Sequence, residues 1–223
     1  MTLLVGGILL GIGVPNVMEF QRNGAMTAGA NELVTAVMMA RTEAVKRQAP
    51  VGWCITEDFT VATPVCVVGA YANTQFNDTR GYVVWVDDND NFDAATGARI
   101  LTDPTDGNAV IDANELVIRR TPHPGGRVLL STSCTYASFT PTGTLRQAGA
   151  SCTPAAPAAA NPRIVLFCDD RGRRPSSGNL STARIVRIDR LGRANVFQEI
   201  IDVDAWFAAL LVLTPTTTCP VPP

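Results

Sequence analysis

One histidine, three tryptophans and three tyrosines are all that a chain of 223 residues holds of these types. His123 sits in a TPHPGG turn string, and no HExxH, GxSxG or phosphate-cradling glycine loop occurs. Metal-assisted hydrolysis, serine nucleophiles and nucleotide loops therefore have no foothold; no enzyme activity and no cofactor are expected. The six cysteines include no CxxC pair and have no histidine cluster beside them, which argues against zinc. A net charge of −2 excludes a globally basic nucleic-acid binder. Charge is also missing locally, for residues 1–18, MTLLVGGILLGIGVPNVM, carry none.

That run is the most informative feature present. As a helix it would extend about 27 Å, close to the ~30 Å of a bilayer core. Leu3, Leu4, Ile8, Leu9, Leu10, Ile12 and Pro15 are expected to belong to a membrane or assembly helix, with Gly6, Gly7, Gly11 and Gly13 weakening the span and, together with Pro15, letting it bend or locally unwind. A secretory signal peptide would need a basic segment before the run and a small-residue cleavage site after it, and neither is there. A buried core helix is the alternative. Polarity changes abruptly at Glu19, and from Ala30 onward Leu33, Val34, Val37, Met38, Ala44 and Val45 recur at three-and-four spacing, which predicts one apolar helical face. The expected organisation is a membrane or filament helix over 1–48 and a head over 49–223.

Past the helix the pattern is that of strands. Residues 51–56, 81–86, 116–119, 127–131, 135–139, 163–167, 183–188 and 194–200 are short and rich in β-branched or aromatic types. Asp189–Arg193 reads as a hairpin turn and Phe139–Gly143 as a turn exit. TPAAPAAANP, 153–162, reads as an exposed extended loop. The tail carries AWFAALLVL, too short to cross a membrane, and is expected to pack on the sheet with Cys219 as a tether; docking a neighbouring subunit is the alternative.

Cys54, Cys66, Cys134, Cys152, Cys168 and Cys219 are read as disulfide formers, which places the head in an oxidising compartment. Sequential pairing is the simplest connectivity: Cys54 with Cys66, Cys134 with Cys152 and Cys168 with Cys219. Charge divides the head. From Glu57 to Glu115 eleven acidic residues face two arginines, whereas from Arg163 to Arg193 eight arginines face three aspartates. Asp87, Asp88, Asp90, Asp93, Asp103, Asp106, Asp112 and Glu115 would suit calcium by type, but no EF-hand register fits, and solvated turns are the preferred reading; no metal is expected. Arg171, Arg173, Arg174 and Arg193 would grip DNA phosphates if they met on one edge; an aspartate-paired rim is the preferred reading.

The strings VPNVMEF, ANELVTAVMMARTEAVKRQAPV and WCI, at their spacing, resemble the start of the GspH/FimT family, the minor pilins of type IV pili and minor pseudopilins of type II secretion. FCDDRG and DRLGRANV are similar to the family's closing strands. The resemblance implies an α+β fold, a long pilin-type helix packed on a mostly antiparallel β-rich head. It also implies single-pass residence in a bacterial inner membrane with the head in the periplasm, and partners among minor and major pilin-like subunits, the assembly machinery, and lipid. The family's mature chain opens Phe-Thr-Leu-Ile-Glu about twenty residues before a proline-asparagine pair. Here Pro15-Asn16 stands about seven residues too early, so Met1 is expected to be an internal valine codon read as a start. The implied function is a structural subunit that initiates or caps a filament. The alternatives are a DNA-binding minor pilin and a membrane-anchored ligand-binding domain that never polymerises. For the DNA alternative, the family's Gly-Arg-x-Arg motif is matched only by Gly192-Arg193-Ala194-Asn195, without the second arginine.

Overall fold

The computed structural model describes residues 2–67, 71–72, 80–87, 111, 115–122, 128–132, 136–145, 163–176, 178–189 and 191–213, with side chains in the first helix described from residue 16 onward. The chain opens with α1, Thr2–Arg47, 46 residues that continue through Pro15. At 1.5 Å per residue this is a rod about 69 Å long. Its end is specified locally. Lys46 and Arg47 in the last turn complement the helix dipole, Gln48 takes a left-handed φ of 52°, and the Ala49 amide donates back to the Ala44 carbonyl at 3.3 Å.

The buried stripe of α1 is Met26, Ala30, Leu33, Val37, Ala40 and Ala44, with Ala36 beside it. Steps of four and three keep those positions on one face. Leu33, Val37 and Ala44 were expected there, and Val34 is half-buried, but Met38 and Val45 point outward. The reason is size: alanines let the helix lie close to the sheets, so the face is set by small residues rather than by the largest apolar ones.

Among the described residues nine strands form two antiparallel sheets. β1 (Val51–Thr56), β3 (Gly81–Val86), β4 (Val117–Pro122) and β6 (Tyr136–Phe139) make one, in the order β4-β3-β1-β6. β2 (Tyr71–Ala72), β5 (Leu129–Thr132), β7 (Arg163–Cys168), β8 (Leu180–Ile188) and β9 (Ala194–Glu199) make the other, in the order β2-β5-β7-β8-β9. α1 lies against strands of both, and Trp53, Tyr82, Phe139, Leu130, Phe167 and Ile185 join its stripe in one core. The eight expected strands are all present within three residues at each end. Only the two-residue β2 had no signal, being too short to show alternation.

One glycine turn docks a sheet onto the helix and a second packs the two sheets together. In the β6 exit, Gly143 adopts φ 78°, and its carbonyl accepts from Arg41 Nε of α1 at 3.0 Å. In the β8–β9 hairpin, Gly192 adopts φ 72° and a side chain there would meet the Phe139 ring at 2.7 Å.

The tail is a helix, α2 (Ile200–Leu213), where the sequence had suggested only a packed segment. Its Val203 and Phe207 are buried in the core. Trp206 meets Phe197 at 6.1 Å between ring centroids and lies under Arg187 at 4.7 Å. Phe197 pairs with Ile185, which shares a face of β8 with Arg187, so α2 covers that face.

Cys54 and Cys66 form a disulfide, S–S 2.06 Å, tying β1 to the loop that follows it. Cys168 is buried in β7, while Cys134, Cys152 and Cys219 lie outside the described residues, as does the 153–162 loop. Closing a separation of 12 residues constrains the unfolded chain. Replacing both cysteines by alanine is expected to lower stability by about 3 kcal/mol, read as a fall in the urea midpoint. An unchanged midpoint would show that hydrogen bonds suffice to hold the loop: the Arg120 guanidinium donates to the carbonyls of Phe59, Val61 and Ala62, Thr56 Oγ1 to the Val65 carbonyl, and the Val67 amide to the Ile55 carbonyl.

Candidate assembly surface and arginine rim

Upstream of Ala25, α1 leaves the head. Residues 16–21 are exposed, and Phe20 has 78% of its surface in water. Val17 and Met18 are about half exposed, so three large apolar side chains lie uncovered at the end of the uncharged run and just after it. A ring that buries 150 Å² or more when covered is an unusual thing to leave in water. Its position, three residues from Val17 on the same helical face, offers a neighbouring helix a contact. Among the described residues no helix is long and apolar enough to cross a membrane. The side chains of Leu3, Leu4, Ile8, Leu9, Leu10, Ile12 and Pro15 lie outside that set.

Where α1 leaves the head it is held by polar contacts to the β7–β8 turn. Arg22 Nη1 stands 3.4 Å from Asp170, Arg171 Nη1 stands 3.8 Å from Glu19, and Asn23 Nδ2 lies 3.5 Å from Ser176 Oγ. A further ion pair joins Glu32 to Arg119 of β4. None of these long-range pairs leaves a local sequence signal.

The four candidate DNA-binding arginines do not share an edge. Arg171, Arg173 and Arg174 sit in the β7–β8 turn, whereas the β8–β9 hairpin carries Arg193 past Ile188, at the opposite end of β8. Six residues of strand between Thr182 and Ile188 amount to roughly 20 Å. Three of the four are also engaged by carboxylates. Arg171 makes a bidentate contact to the buried Asp169, with Nη2–Oδ2 at 2.7 Å; Arg173 pairs with Asp204 and stacks on Phe207; Arg193 Nε donates to Asp189 at 2.8 Å. Arg174 is exposed and makes no ion pair among the described residues. Arg184 is buried, its guanidinium donating to the Ser181 and Ala183 carbonyls. Burial, then the repulsion of Arg171, lowers its pKa. The rim is thus largely neutralised from within.

Of the acidic series, Asp87 and Glu115 are buried and each has polar partners; Asp88, Asp90, Asp93, Asp103, Asp106 and Asp112 lie outside the described residues, as does His123. No metal-ligating group forms among the described residues.

The β8–β9 turn gives a pH prediction. Burial acts to raise the Asp189 pKa, but the Arg193 backbone and side-chain hydrogen bonds and its charge outweigh it, so the carboxyl lies below its ordinary 3.8. A depressed folded pKa contributes stability that is complete above 3.8 and lost as pH falls through the lower folded value. The thermal midpoint is therefore expected to be flat from about pH 6 to 5 and to fall below about 4. Asp189→Asn should lower the midpoint at pH 6 while narrowing the drop on acidification. An equal drop in both proteins would remove Asp189 from the account.

A long helix that exposes Val17, Met18 and Phe20 as it leaves a disulfide-closed antiparallel head defines a stalk-and-head subunit. The chain matches the family model described as "Type II transport protein GspH" over residues 29–192, and it belongs to that family. Among solved structures it is similar to the type IV minor pilin FimU of Pseudomonas aeruginosa in two crystal forms. One is 15% identical, TM-score 0.42, with 80% of this chain and 92% of that chain covered; the other is 16% identical, TM-score 0.39, with 77% and 91% covered. No curated protein matches the sequence. The family match ends at Gly192, so β9 and α2 lie beyond it.

Proposed function

We propose that this chain is a minor pilin or pseudopilin, a non-enzymatic structural subunit that helps to initiate or cap a type IV pilus or a type II secretion pseudopilus. The observation that carries the reading is the junction of an uncharged apolar run with an exposed Val17–Phe20 surface, in a member of the GspH family. The run holds the subunit in the inner membrane, with the head in the oxidising periplasm where the Cys54–Cys66 bond persists. Extraction exchanges lipid contacts for contacts between stalks, so the balance is small and assembly proceeds by packing rather than by chemistry. Its partners are minor and major pilin-like subunits and the inner-membrane machinery that lifts them.

The test is purification of the tagged chain from its own membranes in mild detergent, followed by identification of bound proteins. Recovery of pilin-like subunits is the expected result. Recovery of the chain alone, from membranes that contain those subunits, would favour an anchored domain that does not polymerise.

A further inference from the structure

Residues 169–174, the first part of the β7–β8 connection, are the meeting point of both helices, and the geometry of this turn couples them. On one side Asp170 and Arg171 reach α1, at Arg22 and Glu19. On the other side Arg173, two residues away, pairs with Asp204 of α2 and stacks 3.8 Å above the Phe207 ring. The turn itself is stiff. The Gly172 amide donates to the Asp169 carbonyl at 2.9 Å, Thr182 Oγ1 to the Gly172 carbonyl at 2.9 Å, and the Thr182 amide to the Arg174 carbonyl at 2.9 Å. Asp169 is buried and clamps Arg171 through both its amide, at 2.9 Å, and its guanidinium. A rotation of the turn that frees Arg173 therefore carries Asp170 and Arg171 with it.

The two ends differ in strength. α1 meets the turn through Asp170 and Glu19, both about half exposed, at 3.4 and 3.8 Å, contacts that salt screens. α2 meets it through a stacked guanidinium against a largely buried ring in the core. α1 upstream of Ala25 has no buried side chain among the described residues, so these polar contacts are what steady the stalk where it leaves the head.

We infer that α2 acts on the stalk at a distance: by fixing the β7–β8 turn through Arg173, it sets how firmly the Glu19–Asn23 segment of α1 is held to the head. The device joins α2, which lies beyond the family match, to a turn inside it, and goes further than the subunit reading, on which it does not depend. Anything that lifts α2 from the sheet loosens the root of the stalk without touching it.

Amide hydrogen exchange on the full-length protein in detergent tests this. Arg173→Ala is expected to speed exchange of residues 17–24 by roughly two- to fivefold, the worth of one half-exposed ion pair, while residues 51–56 of β1 stay protected. Asp204→Asn, which leaves the Phe207 stack, should give a smaller change of the same sign. Arg193→Ala, at the far end of β8, should give none. Faster exchange confined to α2, with residues 17–24 unchanged in both Arg173→Ala and Asp204→Asn, would overturn the coupling. So would equal acceleration in Arg193→Ala, since the effect would then be general loosening. If Arg173→Ala fails to fold, Asp204→Asn decides the matter alone.

Discussion

Leu9→Arg combined with Ile12→Arg is expected to remove the chain from the membrane and from any filament. The two positions are three apart in α1 and so lie on one face. Each arginine placed near the centre of a span costs about 2.5 to 3.5 kcal/mol, so the pair opposes insertion by about 5 to 7 kcal/mol. That exceeds what a short run diluted by four glycines can supply. The same charges would stand unpaired in a stalk bundle. Membrane fractionation should move the variant from the pellet to the soluble or degraded pool, with the Cys54–Cys66 bond formed only if the head is still exported. A variant that sediments like the wild type would show that the head, and not the run, holds the chain to the membrane.

Gly81→Ala is expected to cost about 3 kcal/mol or more, the upper range for forcing a methyl into a packed core. A Cβ at Gly81 would lie 2.1 Å from the Thr121 carbonyl oxygen of β4 and 3.2 Å from the Phe59 ring. The obstacle is backbone of the paired strand, so relief requires β3 and β4 to separate, which breaks the register from Tyr82–Thr121 onward. Gly52→Ala is the informative comparison. Its Cβ would meet the Trp85 ring at 2.6 Å, a side chain that can tilt within limits set by full burial. Urea unfolding followed by tryptophan fluorescence should rank Gly81→Ala as the more damaging of the two. The reverse order, or a loss under about 1 kcal/mol for Gly81→Ala, would mean that the β3–β4 edge yields readily.

How far the fold could be read from the residues follows from the range of the forces involved. VGWCIT, GYVVWV and RIVLFC were legible as strands because each is a short β-branched and aromatic run bounded by turn residues. The Asp189–Gly192 turn was legible from its aspartate and glycine alone. The orientation of α1 was only partly legible. Counting large apolar residues placed Met38 and Val45 inward, but packing selected the alanines, a choice that depends on how close the sheets approach. α2 was hidden because IIDVDAWFAALLVL is nearly all apolar and shows no helical alternation; the sheet beneath it decides which face is buried.

The candidate site divides in the same way. The uncharged run and its likeness to pilin helices were local and visible. The fate of the arginines was not, because Arg173 with Asp204 and Arg171 with Glu19 are long-range pairs, and because the β8–β9 hairpin decides which end of the sheet receives Arg193. A cluster in sequence became two separate and largely neutralised groups in space.

The most direct test of the assembly account is site-specific photo-crosslinking from Phe20 in the native host, with Val65 on the head as the exposed control. The account predicts that Phe20 traps a pilin-like subunit through that subunit's helical stalk, that Val65 does not, and that the adduct vanishes when Leu9 and Ile12 are replaced by arginine. A Phe20 probe that captures no pilin-like subunit, in membranes where the chain and its candidate partners are all present, would contradict it.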